Sequence, residues 1–202
     1  DADAPTVMIV GIGNYSGTIN LKFSIVTKSI SDNVTVEAIP DQMYTGDKIT
    51  PSLSLMYGDV VLKENTDYTL TYSNNVNPGR ATIAIEGIGA YSGTLTARFN
   101  IIGNLSNTSQ FTIGGYQTTY SLQANGTLQF SDAGISITYQ NQSNVDSSGN
   151  MNTMYLDSSN YEIQQYNCDR PGEGQLIFVG KNYCIGSQTI PIRVVGDLKN
   201  VE

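Results

Sequence analysis

The sequence contains no histidine and no tryptophan, only two cysteines, and few charges: Asp, Glu, Lys and Arg make up 14% of its 202 residues. Each shortage closes a class of function. Without histidine there is no Ser-His-Asp triad, no imidazole general base, and none of the commonest metal ligand. Two cysteines allow at most one internal disulfide, and two thiols without histidine do not make a zinc site. The formal net charge of −8 repels nucleic acid and anionic membranes, so neither is expected as a partner. No run approaches the roughly 20 apolar residues of a membrane-spanning helix, and membrane insertion is not expected. Composition therefore points to a non-catalytic chain without cofactor or metal, leaving carboxylate chemistry as the one catalytic route formally open.

What the sequence does have is a recurring glycine-tyrosine stretch. Gly11-Ile12-Gly13-Asn14-Tyr15-Ser16-Gly17-Thr18 returns 76 positions on as Gly87-Ile88-Gly89-Ala90-Tyr91-Ser92-Gly93-Thr94. The flanks repeat at the same offset: Thr6 with Thr82, Ile9 with Ile85, Phe23 with Phe99, Ile25 with Ile101, and Val7 with Ile83. A fixed period of this size marks a repeated unit as large as a small domain.

The repeat divides the chain. Residues 1–28 read as the tail of a unit, Asp1 corresponding to Asn77, with strands at Thr6–Val10 and Thr18–Ile25. In the second, Ile19, Leu21, Phe23 and Ile25 alternate with Asn20, Lys22 and Ser24, as a half-buried strand requires. Two strands alone are marginal in water. Residues 1–28 are thus expected to be a repeat cut short, packed on a neighbouring domain or paired with another copy in a strand-mediated dimer. Residues 29–103 form a complete unit: strands at Val34–Ile39, Ser52–Tyr57, Val60–Leu62, Tyr68–Asn74, Arg80–Glu86 and Thr94–Ile101, with turns at Gly58-Asp59 and Asn77-Pro78-Gly79. Short strands with turns about every ten residues indicate an antiparallel sandwich, with little helix. Residues 104–109 have the composition of a polar linker. Residues 104–202 form a diverged unit, in which Asn160-Tyr161 parallels Asp67-Tyr68, Pro171-Gly172 parallels Pro78-Gly79, and Asn182-Tyr183 echoes Ala90-Tyr91. An insertion rich in Ser, Asn and Gly lies near 141–154.

Each residue type in the repeated stretch suits a corner between strands. Gly11 and Gly87 end the incoming strand; Gly13 and Gly89 permit a bulge or a positive φ; Gly17 and Gly93 suit a tight turn. Tyr15 and Tyr91 can bury a ring against the end of a sandwich. A phosphate-cradling glycine loop would need a helix N-terminus after it, whereas here a strand is expected.

The stretches Tyr44-Thr45-Gly46, Leu62-Lys63-Glu64-Asn65-Thr66-Asp67-Tyr68, Tyr72-Ser73-Asn74-Asn75, Pro78-Gly79-Arg80-Ala81-Thr82-Ile83 and Gly87-Ile88-Gly89-Ala90-Tyr91-Ser92-Gly93-Thr94 together resemble tandem bacterial immunoglobulin-like repeats of secreted or cell-surface proteins. The likeness is strong over 1–101 and weak over 110–197. It implies an all-β chain of tandem antiparallel immunoglobulin-like β-sandwiches, extracellular or at the cell surface. The implied use is as a structural spacer or stalk whose partners are neighbouring domains of the same chain, or as an adhesion module. It carries over no catalytic residue.

Binding residues are sought in the diverged unit. Tyr116, Tyr120 and Tyr139 are the candidates for a carbohydrate platform, against the alternative of ordinary sheet and core tyrosines. A glycan or a host surface protein would be the ligand, with the 141–154 insertion as a recognition loop. Asp146, Asn150 and Asn152 offer oxygens to Ca²⁺ but do not fit the acidic loop with its closing Glu. A lysine-asparagine crosslink would need a buried lysine, and Lys22 and Lys63 are expected to face outward. Glu64 and Asp67 suit turn caps. Cys168 and Cys184 flank a strand of roughly 23 Å, against a Cα separation of about 4.4–6.8 Å in a disulfide, and their pairing is left open.

Overall fold

The structure, a computed structural model, describes residues 4–196; the correspondence of Asp1 with Asn77 and the outer limits at residues 1 and 202 lie outside them. The chain is nearly all β, arranged in several sheets. Helix among the described residues amounts to one short α-turn, Ile30–Asn33, and one 3-10 turn, Ser158–Asn160. This follows from apolar residues spaced by two, which give a strand one buried face and a helix none. No helix among them is long and apolar enough to cross a membrane.

One sheet has the strand order Cys184–Ile185, Thr94–Asn104, Gly79–Gly87, Tyr68–Ser73, and Gln42–Met43 also pairs with Thr94–Asn104. Contacts divide the chain into two compact units. The first is the chain up to Glu37 with Ser54–Thr71 and Ala84–Thr96; the second is Ala38–Leu53, Tyr72–Ile83 and the chain from Ala97 onward.

In the first unit, Thr6–Val10 and Thr18–Lys22 form an antiparallel hairpin with Val7 opposite Leu21 and Ile9 opposite Ile19. The sequence suggested a second strand reaching Ile25. Pairing stops at Lys22 because the partner strand runs out at Thr6: Phe23 N–H still donates to Pro5 O at 3.0 Å, but proline has no N–H to return. A second antiparallel sheet joins Val34–Val36, Leu55–Tyr57 and Val60–Val61, its Gly58-Asp59 turn opened by Gly58 at φ +58°. These strands are shorter than the composition suggested, with Pro40 and Pro51 beyond their ends unable to donate to a ladder. Lys28–Ser29 runs parallel to Tyr91–Ser92, and Ile30, Leu55 and Ile85 are fully buried.

In the second unit, Phe111–Gly114, Ser136–Val145 and Met151–Tyr155 form an antiparallel sheet. Another has the order Thr119–Ser121, Ser187–Val195, Gly172–Gly180, Tyr161–Tyr166, the first pair parallel and the rest antiparallel. Each buries alternate residues: Phe111, Ile113, Ile137 and Tyr139 from the first, Leu176, Phe178, Ile192 and Val194 from the second. The 104–109 stretch is no open linker. Thr94–Asn104 continues without a break into it, Leu105 is fully buried, and Leu105 N–H donates to Ile185 O at 2.8 Å. Its polar side chains cap the turn instead: Asn104 Oδ1 accepts from Ser106 N–H, and Asn107 Oδ1 from Ser109 N–H. Polar composition here reflects local backbone bonding, which competes with solvent for the same residues.

Candidate functional site

The corner motif has one geometry at three places. Gly11 N–H donates to Gly17 O, Gly87 N–H to Gly93 O and Gly180 N–H to Gly186 O, each at 2.9 Å. Inside each ring a second bond closes a turn: Tyr15 N–H to Ile12 O, Tyr91 N–H to Ile88 O, Cys184 N–H to Lys181 O, at 3.3, 3.0 and 3.0 Å. The third residue of each has positive φ (Gly13 +66°, Gly89 +65°, Asn182 +55°), and so does the seventh (Gly17 +103°, Gly93 +87°, Gly186 +73°). The first glycine is required for another reason. A Cβ on Gly87 would lie 2.8 Å from Ser92 N, and one on Gly180 would lie 2.8 Å from Cys184 C. Backbone crosses backbone there, and no side chain fits. A strand follows each corner.

The third corner corrects the sequence alignment by one position. Composition set Tyr183 opposite Tyr91; the hydrogen bonds set Cys184 there. Both residues stand at the same place in a parallel pair, Tyr91 opposite Lys28 and Cys184 opposite Gly103. The equal spacing from Gly87 to Gly93 and from Gly180 to Gly186 carries this register, while the tyrosines stand one position out of step, Tyr91 fifth in its stretch and Tyr183 fourth.

Two corners are filled by the same kind of segment. Ser29 Oγ accepts from Ser31 N–H, and Ser31 Oγ donates to Thr94 O at 3.2 Å. In the second unit Asn104 Oδ1 accepts from Ser106 N–H, and Ser106 Oγ donates to Ser187 O at 3.3 Å. The residue between the polar pair, Ile30 or Leu105, is fully buried. At the Gly93 corner the Lys28 ammonium lies 5.4 Å from the Tyr57 ring and 6.0 Å from the Tyr91 ring, within range of a cation–π attraction. At the Gly11–Gly17 corner no described strand pairs with Tyr15–Ser16.

The three candidate binding tyrosines are not gathered on an open face. Tyr139 is buried, its ring 5.4 Å from Tyr44 and 5.7 Å from Phe111. Burial raises its pKa, with the Cys184 thiol adding to the shift. Tyr44 is pushed up to about 12, first by burial and then by Tyr139 and Asp47, and its hydroxyl donates to Gln140 O. Tyr120 is also buried, 5.7 Å from Phe130, and its hydroxyl accepts from Gln117 N–H at 2.9 Å. Only Tyr116 of the three is half-buried. Tyr120 and Phe130 border a hollow of about 410 Å³, with Gln117, Thr119, Gln129 and Ser131 in its lining.

The insertion near 141–154 is an ordered hairpin between Ser136–Val145 and Met151–Tyr155. Asp146 organises its turn, accepting from the N–H groups of Ser148 and Asn150 at 2.8 and 2.9 Å and from Asn150 Nδ2 at 3.1 Å. These bonds, the one from Asn150 N–H foremost, hold its pKa below the usual carboxylate range. Asp67 likewise caps its turn, accepting from Lys63 N–H at 2.8 Å, and Lys22 and Lys63 are exposed. Cys168 and Cys184 are buried free thiols, and burial pushes Cys184 up to about 11. No group of three or more Cys, Asp or Glu among the described residues could hold a metal ion. Comparisons with models of known protein families and with curated proteins find no match.

Proposed function

We propose that this chain is a non-catalytic spacer built of immunoglobulin-like β-sandwich modules, part of a larger extracellular or cell-surface bacterial protein. The observation that supports this most is the double use of one strand. Thr94 offers its carbonyl to the corner at Gly93, and Gly103 and Asn104, at the other end of the same strand, pair with Cys184 and Ile185 at the next corner. A closing strand that is also an opening strand is a device for joining units in series. The side chains of Asp67, Asp146, Ser29, Asn104 and Asn107 are engaged in turns and caps, which fits a structural role.

Single-molecule pulling tests the reading. The expected trace shows discrete unfolding steps, and the chain captures no ligand from a glycan array. A binding module of the diverged unit is the second reading, favoured by the hollow beside Tyr120 and Phe130, where an aromatic wall meets amide and hydroxyl groups as in many polar-ligand sites. Specific glycan capture abolished by Phe130→Ala or Gln129→Ala would replace the spacer reading with that one.

A further inference from the structure

The same side chains are buried in one copy of the repeat and bare in the other. Ile85 is 0% exposed and Ile9, its equivalent, 49%; Phe99 is 3% and Phe23 47%; Tyr91 is 9% and Tyr15 81%. The hairpin register puts Val7, Ile9, Ile19 and Leu21 on one face. Beside the Gly11–Gly17 corner lies a hollow of about 550 Å³ lined by Ile9, Ile12, Tyr15, Ser16, Thr18 and Ile19, among others. An exposed stripe of this kind marks an interaction surface.

We infer that this face and corner receive the strand-and-turn opening segment of the immunoglobulin-like module that the hairpin closes, as each of the other two corners receives the opening segment of its own unit. The inference rests on the modular reading above. The chain itself supplies the template for the occupant, because the equivalent corners at Gly93 and Gly186 each hold such a segment, Lys28–Ser31 and Gly103–Ser106. The occupant carries a Ser or Asn, then an aliphatic residue, then a Ser. Its aliphatic side chain enters the core as Ile30 and Leu105 do, and its serine hydroxyl donates to Thr18 O as Ser31 does to Thr94 O and Ser106 to Ser187 O. A backbone strand runs parallel to Tyr15–Ser16, matching Lys28–Ser29 on Tyr91–Ser92 and Gly103–Asn104 on Cys184–Ile185. A second copy of this chain is the poorer source. Both of its segments of this kind already sit in their own corners, and lending one would strip Ile30 or Leu105 of its burial.

The test adds a copy of residues 27–76 ahead of Asp1 in the full chain, which by the 76-residue offset completes a unit with the hairpin. Amide hydrogen exchange is then compared with and without the addition. The expected result is at least a hundredfold slower exchange at residues 6–22. Less than tenfold slowing is expected when the added copy carries its equivalents of Ile30→Asp and Ser31→Ala. Equal exchange with and without the addition, residues 111–194 remaining protected, overturns the inference and leaves the spacer reading standing, since that reading falls to ligand capture instead. Should the added segment fail to fold, a peptide spanning residues 27–34 decides: chemical-shift changes confined to Gly11–Ile19 support the inference, and none at millimolar peptide overturns it. Concentration-dependent dimerisation of the original chain, abolished by Ile19→Asp, also overturns it in favour of a second copy.

Discussion

Gly186→Ala separates two costs that glycine corners combine. Its φ of +73° lies in the left-handed region, where a Cβ costs about 1–2 kcal/mol. A Cβ there would also lie 2.4 Å from Asn104 Oδ1 and 2.5 Å from Ser106 Oγ. Both atoms are held by backbone bonds of their own, so neither swings aside freely, and forced displacement in a packed site adds about 1–3 kcal/mol. The sum is about 2–5 kcal/mol. Gly149 is the control: its φ is +83° and nothing lies within 4 Å of an added Cβ, so Gly149→Ala should cost only the left-handed term, about 1–2 kcal/mol. Urea unfolding followed by circular dichroism and tyrosine fluorescence gives both values. The difference should shrink when Asn104→Ala removes the nearer atom, a coupling that a double-mutant cycle reads directly. Equal costs for the two glycines, or a cycle without coupling, would refute the view that the corner is crowded by the segment it holds.

Phe178→Ala empties a fully buried site in the strand Gly172–Gly180 and should cost about 3–5 kcal/mol in the same unfolding assay. The Tyr44 phenol ionises near 10 when unfolded and at about 12 when folded. Above pH 10 the unfolded state therefore loses its proton first, and stability falls as pH rises from 10 toward 12. The urea midpoint should track this, with a shallower alkaline slope in Tyr44→Phe. Asp146 has the opposite sign: its folded pKa is depressed, so its support of the hairpin is present above the ordinary aspartate value and lost as pH falls through the depressed one. A fall in the amide protection factors of Ser148 and Asn150 at acid pH, absent in Asp146→Asn, is the readout. Cys168 and Cys184, both buried, should react with a thiol reagent only at the rate of unfolding; stoichiometric labelling under native conditions would contradict their burial.

Much of the strand map was legible because a two-residue period survives in sequence. Thr6–Val10 matches its expected limits, and Tyr68–Ser73 and Gly79–Gly87 lie within one residue of theirs. Losses came where strand length depends on a partner, as at Ile25, or where a polar run could serve solvent or its own backbone, as at 104–109. The exposure of the candidate tyrosines was less legible. An aromatic residue on a strand has the same spacing whether its face is covered or bare, and the packing of Tyr139 on Tyr44 joins residues nearly a hundred positions apart.

The corners show which residues carry the geometry. Tyr15, Tyr91 and Cys184 occupy one backbone position in three settings, exposed, buried and buried, yet the glycine-to-glycine bond is 2.9 Å in all three. The turn therefore does not depend on a phenol, nor on whether the face beside it is filled. It depends on a first residue without a Cβ and on two positive φ values, which Gly supplies freely and Asn182 supplies at modest cost. The position next to the crossing is left to match the segment that enters: a tyrosine ring where Lys28 passes over it, a thiol where Gly103 brings the backbone close, a Cβ on Gly103 falling 3.0 Å from Cys184 Sγ and 2.8 Å from the Phe111 ring. On this reasoning Cys184→Tyr should fail without a compensating change, because the ring would need the space that Gly103 and Phe111 already fill. Tyr91→Cys should leave the corner intact and lose the packing of one aromatic ring on Tyr57 together with its cation–π contact with Lys28.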